Sequence, residues 1–257
     1  MSELIDALSA PGVLAFVALV FGGLVAASLA AGFAAERWLG ARRRIFAVPL
    51  REGQLFRETV GTARFVALAI PVFAGVLLVA DHAPTDAARF AITFFACWAS
   101  FEVYYWALHR AMHTGRGYRW HRYHHDSRVT TPMTGYSMST VEAFGWLVGL
   151  AGPPLLLSLA MPISIEGWIA YLAYHVSGNI VGHANAEVLG AVVARRPTSW
   201  IAHPITYHAL HHARVNNHYG FGSTFMDRSL GTEWGDWPEL HARVLAGAPM
   251  TRLSERG

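Results

Sequence analysis

Long apolar segments separated by short polar turns dominate most of the chain. The first contains no charged residue and is long enough to cross a bilayer as a helix. The apolar runs cover residues 7–35, 65–80, 90–108, 143–165 and 167–186. The adjacent Pro153 and Pro154 predict a kink or a re-entrant bend in the fourth run, because proline disturbs a helix interior. After residue 186 the chain is polar and amphipathic. This pattern predicts an all-α integral membrane protein with about four to five transmembrane or re-entrant helices.

The composition supports a membrane protein and excludes several other classes. Hydrophobic residues make up 53% of the 257 residues and charged residues only 14%, whereas soluble domains carry about 25% charged residues. The single cysteine, Cys97, excludes an intrachain disulfide. The first apolar run follows Glu3 and Asp6 and no basic region, so we expect a retained span and not a cleaved signal peptide. Nucleic-acid binding would need a basic face with stacking aromatic residues, and the sequence shows none.

The distribution of arginine predicts the orientation. The segment 36–64 holds seven arginines and the segment 81–89 holds one, so the arginine-rich segment is expected to be cytoplasmic. Counting spans from it places both histidine-rich regions on the cytoplasmic side. We therefore predict one membrane domain over residues 1–257. Its membrane-spanning region covers 7–186 and carries the first histidine motifs at 109–125, and a cytoplasmic helical cap over 187–257 carries the last one.

The histidines have the spacing of ligands on helices. Twelve of the fourteen fall between His109 and His218. Residues three and four apart share one helix face, and imidazole is a suitable ligand for iron, copper, zinc and nickel. The spaced set comprises His109, His113, His121, His124, His125, His208, His211 and His212. Eight imidazoles exceed what one ion takes but fit two neighbouring ions, so the pattern predicts a dimetal site.

Other polar residues near these motifs are further candidates. His183 ends the fifth apolar run and is predicted to be a ninth ligand, since an ionisable group in a span is a functional candidate. We expect any additional ligand, or a side chain that hydrogen-bonds a ligand, among His175, Asn179, His218 and Glu102. His203 flanks the last motif and is a weaker candidate, while the isolated His82 and His241 are expected to be structural.

The three motifs together resemble those of a known superfamily. The segments HRAMH from His109, HRYHH from His121 and HALHH from His208 are similar to the HxxxH, HxxHH and HxxHH boxes of the fatty acid hydroxylase/sterol desaturase superfamily. The segment 217–232 resembles the region after the last box, and His183 falls in the family's fourth histidine element. That element can carry two histidines four residues apart, and Asn179 stands at the first position here.

The resemblance implies a membrane-embedded, non-haem di-iron oxygenase. Such an enzyme uses O₂ and two electrons to hydroxylate an unactivated C–H bond of a fatty acyl or sterol-like lipid. It implies two iron ions held by the nine histidines, which zinc can replace in purified protein. No flavin, nicotinamide or haem motif is visible, so electrons are expected from a separate ferredoxin or cytochrome with its reductase. The expected location is a bacterial inner membrane, with the active site on the cytoplasmic side.

Other functions share parts of this pattern. A desaturase or a carotenoid hydroxylase would carry the same histidine motifs. A membrane metal transporter would place its ligands along spans at bilayer depth, whereas these follow the spans. A membrane zinc protease usually shows HExxH, and no histidine here is followed by glutamate.

Overall fold

The computed structural model describes all residues 1–257 and contains helices but no β-strand. Two short 3₁₀ helices cover Pro132–Tyr136 and Ala191–Ala194. The eleven α-helices are α1 (Ser2–Asp6), α2 (Ala10–Arg43), α3 (Gln54–Val79), α4 (Ala87–Met112), α5 (Tyr118–His125), α6 (Thr140–Ser158), α7 (Ile165–Gly182), α8 (Thr198–Ile201), α9 (Ile205–Arg214), α10 (Phe225–Ser229) and α11 (Trp237–Leu245). The predicted all-α fold class is therefore confirmed.

Five long helices correspond to the five apolar runs. Helices α2, α3 and α6 are long and apolar enough to cross a membrane, and α4 and α7 pack against them. Helix α2 begins after Ser9, whose hydroxyl accepts the backbone N–H of Gly12. At 34 residues it is about 51 Å long, well beyond the ~30 Å hydrocarbon core of a bilayer. The molecule is a helical membrane protein.

The boundaries of two helices differ from the sequence prediction. Arg57 and Arg64 lie inside α3 and not in a loop, so only the segment 44–53 connects α2 to α3. Helix α6 continues through Pro153 and Pro154 and ends at Ser158, after which a turn leads into α7. The fourth run is therefore one continuous helix followed by a turn.

Two hydrophobic cores hold the molecule together. The larger lies among the five long helices and includes the buried Phe65, Phe73, Trp168 and Tyr171. The smaller lies in the cap and packs α9 and α11 against Ile45 and Phe46 from the α2–α3 connection. Both amide atoms of Asn185 bond the backbone of Phe46. The α2–α3 connection is thus part of the cap, whereas the sequence predicted a cap over residues 187–257 only.

Candidate metal centre

The first two histidine motifs meet through a tight turn. His109 and His113 lie at the end of α4, and α5 starts after Gly117. A Cβ on Gly117 would lie 2.5 Å from the carbonyl oxygen of Ala111, so only glycine fits there. The turn brings the Nε2 atoms of His109 and His121 to 3.1 Å, and those of His113 and His125 to 3.1 Å.

The third motif is presented by α9. Glu187 accepts the backbone N–H and the hydroxyl of Thr206, each at 2.8 Å, which satisfies donors at the helix start. Directly after the helix, three non-glycine residues have positive φ: Val215 (74°), Asn217 (64°) and His218 (58°). Such conformations cost about 1–3 kcal/mol each and cluster at functional sites. Here they place the carbonyl of Asn217 2.6 Å from His211 Nδ1.

The nine histidines predicted as ligands converge in two groups, each with its ligand atoms within 4.8 Å of one another. The five-histidine group contains His109, His113, His121, His125 and His211. The four-histidine group contains His124, His183, His208 and His212. All except the partly exposed His113 are buried. The structure thus places these residues as the dimetal prediction requires, while their metal binding stays a prediction.

Hydrogen bonds fix the orientation of most of these rings. Six Nδ1 atoms contact an acceptor, and in five cases it is a backbone carbonyl: Tyr219 for His109, Ser137 for His124, Asn179 for His183, Asn217 for His211 and Ser127 for His212. A proton held on Nδ1 leaves the lone pair on Nε2, the nitrogen that points into the group. This arrangement is typical of metal-bound histidine.

The protonation state fits a metal ion. Burial lowers the pKa of His121, His124 and His211 to about 3, so these rings are neutral at pH 7 and can coordinate. His212 donates its Nδ1 proton to Ser127, yet its buried Nε2 has no hydrogen-bond partner. A buried nitrogen lone pair without a partner is unfavourable, and an ion among the four rings would satisfy it.

Glu142 is an important residue that the sequence reading missed. Its Oε1 lies 2.6 Å from His121 Nδ1 and also accepts from the indole of Trp146 at 3.3 Å. The carboxylate is fully buried, at the first turn of α6. A carboxylate behind a ligand imidazole orients the ring and raises its basicity. The sequence signal that could have identified Glu142 is its position directly before the apolar run 143–165.

Two buried carboxylates, also missed as functional residues, accept hydrogen bonds from the segments whose backbone carbonyls orient the histidines. Glu58 of α3 accepts hydrogen bonds from Gln54, Ser127, Thr131 and Thr134. Asp227 accepts from the backbone of Tyr219 and Gly220 and from the side chains of Trp106, Tyr207 and Thr232. Glu58 therefore supports the Ser127 carbonyl behind His212, and Asp227 supports the Tyr219 carbonyl behind His109.

The remaining candidates lie outside both groups, so none is placed as a ligand. The Asn179 amide donates to the Gly135 carbonyl, and only its backbone oxygen contacts a ligand ring, that of His183. His218 stacks on Tyr207 and bonds the backbone of Tyr207 and Trp234. Glu102 accepts from Gly222 and Ser223. The ring of His203 contacts the Phe221 carbonyl. The ring of His175 contacts only aromatic rings, among them Phe101.

A cavity adjoins the two histidine groups. Its free volume is about 30 Å³, and His121 and His124 bring one histidine of each group into its wall. The other lining residues are Phe101, Tyr105, Gly135, Tyr136, Met138, Glu142, Trp146, Leu150, His175, Asn179 and Phe221. A mostly apolar cavity with a few polar groups is typical of a small-molecule site.

Comparison with known proteins identifies relatives among plant enzymes. Very-long-chain aldehyde decarbonylase GL1-6 of Oryza sativa subsp. indica is 32% identical over 148 residues, which are 56% of this chain and 23% of that protein. Very-long-chain aldehyde decarbonylase CER1 of Arabidopsis thaliana is 30% identical over 146 residues, again 56% of this chain and 23% of the relative. GL1-5 of Oryza sativa subsp. indica is 28% identical over 199 residues, 74% of this chain and 32% of the relative.

The chain thus spans about a quarter to a third of the length of these relatives. No solved structure was found to match it. The family model for fatty acid hydroxylases matches residues 94–232. That region covers more than half of the chain and contains all nine converging histidines, so the resemblance seen in the motifs is confirmed and the protein belongs to the fatty acid hydroxylase family.

Proposed function

We propose that this protein is a di-iron membrane oxygenase that hydroxylates an unactivated C–H bond of a lipid. The observation that carries the proposal is the apolar cavity whose wall includes one histidine from each converging group. A lipid chain in this cavity would lie against His121 and His124, which are one predicted ligand from each group. The family's description as fatty acid hydroxylases supports the same reaction.

The nine histidines form a suitable site for two iron ions, because neutral imidazoles are good ligands for iron. Two irons held there would supply the chemistry that reduces O₂ and oxidises a C–H bond. Zinc can occupy imidazole sites as well, so its presence in purified protein would not contradict iron as the native metal.

The protein itself excludes water and orients the ligands. Tyr105 and Trp146 stack at 4.4 Å beside His109, and Met138 closes another part of the wall. Excluding water strengthens electrostatic interactions in the site and prevents side reactions of a reactive oxidant. Glu142 holds the proton of His121 on Nδ1, which keeps Nε2 available for coordination.

A groove on the outside of α7 offers a route for the substrate. It runs between α7 and the cap, and Phe221 lines both this groove and the inner cavity. Four exposed apolar side chains lie on the cap in or beside α8 and α10, namely Trp200, Ile201, Phe225 and Leu230. An exposed apolar patch of this kind is typical of a membrane interaction site. We infer that a lipid enters from the bilayer past Phe221.

The arginine distribution supports a cytoplasmic metal centre. The backbone N–H of Glu187 bonds the carbonyl of Arg43, and the Phe46–Asn185 pair joins the same connection to the cap. The arginine-rich end of the bundle is therefore the end that carries the histidines, and the positive-inside rule assigns that end to the cytoplasm. A separate ferredoxin or cytochrome with its reductase would deliver electrons there.

A second candidate reaction follows from the names of the relatives. GL1-6 and CER1 are very-long-chain aldehyde decarbonylases, so a long-chain aldehyde is an alternative substrate for the same cavity. In that case the product would be a hydrocarbon and not an alcohol. Desaturation and carotenoid hydroxylation also stay compatible with the histidine motifs.

The mass of the product distinguishes these reactions. Lipid extracts from cells with and without the gene are compared under air and under heavy-isotope O₂. Hydroxylation adds one labelled oxygen, desaturation removes two hydrogens, and the aldehyde reaction yields a shortened hydrocarbon. His124→Ala should abolish the change, whereas His82→Ala should not, since His82 lies in the turn between α3 and α4 away from the metal groups. No oxygen-dependent change in any lipid would contradict the proposal.

A further inference from the structure

His175 is a buried residue that the metal centre does not use. It lies on α7, is 2% exposed, and neither ring nitrogen has a hydrogen-bond partner. Buried polar groups in proteins are nearly always paired, and an unpaired one costs about 1–3 kcal/mol. Aromatic rings surround this histidine without offering it an acceptor: Phe101 at 4.2 Å, Tyr171 at 4.5 Å, Phe221 at 4.7 Å and Tyr174 at 5.2 Å between ring centroids.

His175 lines the same cavity as the metal centre. Among the nitrogen-bearing side chains of the wall, it is the one with no nitrogen engaged. Trp146 donates to Glu142, Asn179 donates to Gly135, and His121 and His124 belong to the converging groups. The unused hydrogen-bonding capacity of the cavity is therefore concentrated at His175.

The chemistry of the wall restricts what His175 can bind. A neutral imidazole offers one donor and one acceptor, which suits a hydroxyl group, and its donor also suits a carbonyl oxygen. No arginine lines the cavity and Glu142 already contributes a carboxylate, so a bound phosphate or carboxylate would be a buried, unpaired charge. His175 belongs to neither of the two histidine groups that could hold a metal ion. The remaining class is a neutral oxygen.

His175 lies on the same helix as a predicted ligand but deeper in the helical bundle. His175 precedes His183 by eight residues on α7, and the helix rises about 1.5 Å per residue. The α-carbons of His175 and of the predicted ligand His183 are therefore about 12 Å apart along the helix axis. The part of the substrate beside the histidine groups is then a stretch of chain remote from that oxygen.

We propose that His175 binds a neutral hydroxyl or carbonyl oxygen of the substrate, and that the enzyme acts on a distant carbon of an oxygen-bearing long-chain lipid. This inference rests on the proposed function. It favours oxidation remote from the existing oxygen over a reaction at an aldehyde carbon, because the recognised oxygen and the metal centre lie at different places along the cavity. Plain hydrocarbons and ionised fatty acids would bind poorly.

Binding and turnover measurements on the full chain in detergent test this inference. The probes are radiolabelled octadecanol and octadecane. His175→Leu removes both nitrogens, His175→Gln keeps a donor and an acceptor, and His82→Leu is the matched control. We expect His175→Leu to weaken octadecanol binding about tenfold, the effect of one lost hydrogen bond, with octadecane binding and metal content unchanged. Glutamine should restore part of the octadecanol affinity, and KM should change more than kcat.

The outcomes separate the inference from the function on which it rests. Equal loss of octadecanol and octadecane binding would show a merely structural role, and unchanged octadecanol binding would show that water satisfies His175; either result overturns the inference. If wild-type protein binds octadecanol through His175 but oxidises no lipid in any assay, the proposed function fails while the binding site stands.

Discussion

The two histidine groups are built from the same residue type but are supported differently. The five-histidine group has a carboxylate, Glu142, behind one ligand, and its His109 and His211 rest on the loop that follows α9. Backbone carbonyls orient three rings of the four-histidine group, on Ser127, Ser137 and Asn179. Common metal ions take four to six ligands, so the group with four histidines has more room for an outside ligand. We expect O₂ or substrate to approach that group more easily.

Removing one ligand should have the largest effect, and an unequal one. His212→Ala leaves three histidines in its group, whereas His113→Ala leaves four. We expect His212→Ala to lose about half of the bound metal and His113→Ala to keep both ions with weaker affinity. Metal analysis of purified protein measures this, with His82→Ala as the control. Equal metal loss in the two variants would contradict the difference between the groups.

Neutralising the carboxylate behind His121 should weaken only the five-histidine group. Glu142→Gln removes the charge but keeps the shape, and loss of such a partner typically lowers metal affinity 10–100-fold. Competition with a chelator should therefore release one ion from this variant before the other. Release of both ions together, or at the wild-type chelator concentration, would show that Glu142 does not act on one group alone.

The two supporting carboxylates should be separable by their effects on the groups. Glu58 holds the Ser127 segment behind His212, and Asp227 holds the Tyr219 loop behind His109. Glu58→Gln turns an amide NH₂ toward hydroxyl donors and should destabilise the fold by about 2 kcal/mol. We expect weaker metal binding by the four-histidine group in Glu58→Gln and by the five-histidine group in Asp227→Asn. Thermal unfolding with and without chelator measures both, and identical patterns would refute separate support.

Changing the boundary between the groove and the cavity should have the smallest effect. Phe221→Ala would widen the route between them without touching a ligand, since Phe221 lines both spaces. We expect metal content to stay at two ions per chain and bulkier lipids to be accepted, with a change of a few-fold in kcat/KM. Phe221→Trp should shift the preference the other way. Loss of metal in Phe221→Ala would show that the ring supports the centre and not the route.

Local pattern predicted the long helices and the converging histidines well. The five apolar runs became α2, α3, α4, α6 and α7, because burying an apolar stretch is a local requirement of each segment. Helix ends were less predictable: Arg57 and Arg64 look like loop residues, yet both lie in α3, where Arg57 bonds Ser127 and Arg64 bonds the Met138 carbonyl. Their partners come from a segment about seventy residues away.

The sequence by itself determined the fold class, the membrane character and the nine histidines, since each depends on composition or on a spacing of three or four residues. Only the tertiary structure decided how the histidines divide into five and four, since His124 and His125 are adjacent yet point into different groups. It also decided that Glu142, Glu58 and Asp227 support the centre and that His175 faces the cavity. Those roles depend on contacts between residues far apart in the chain, which no local pattern records.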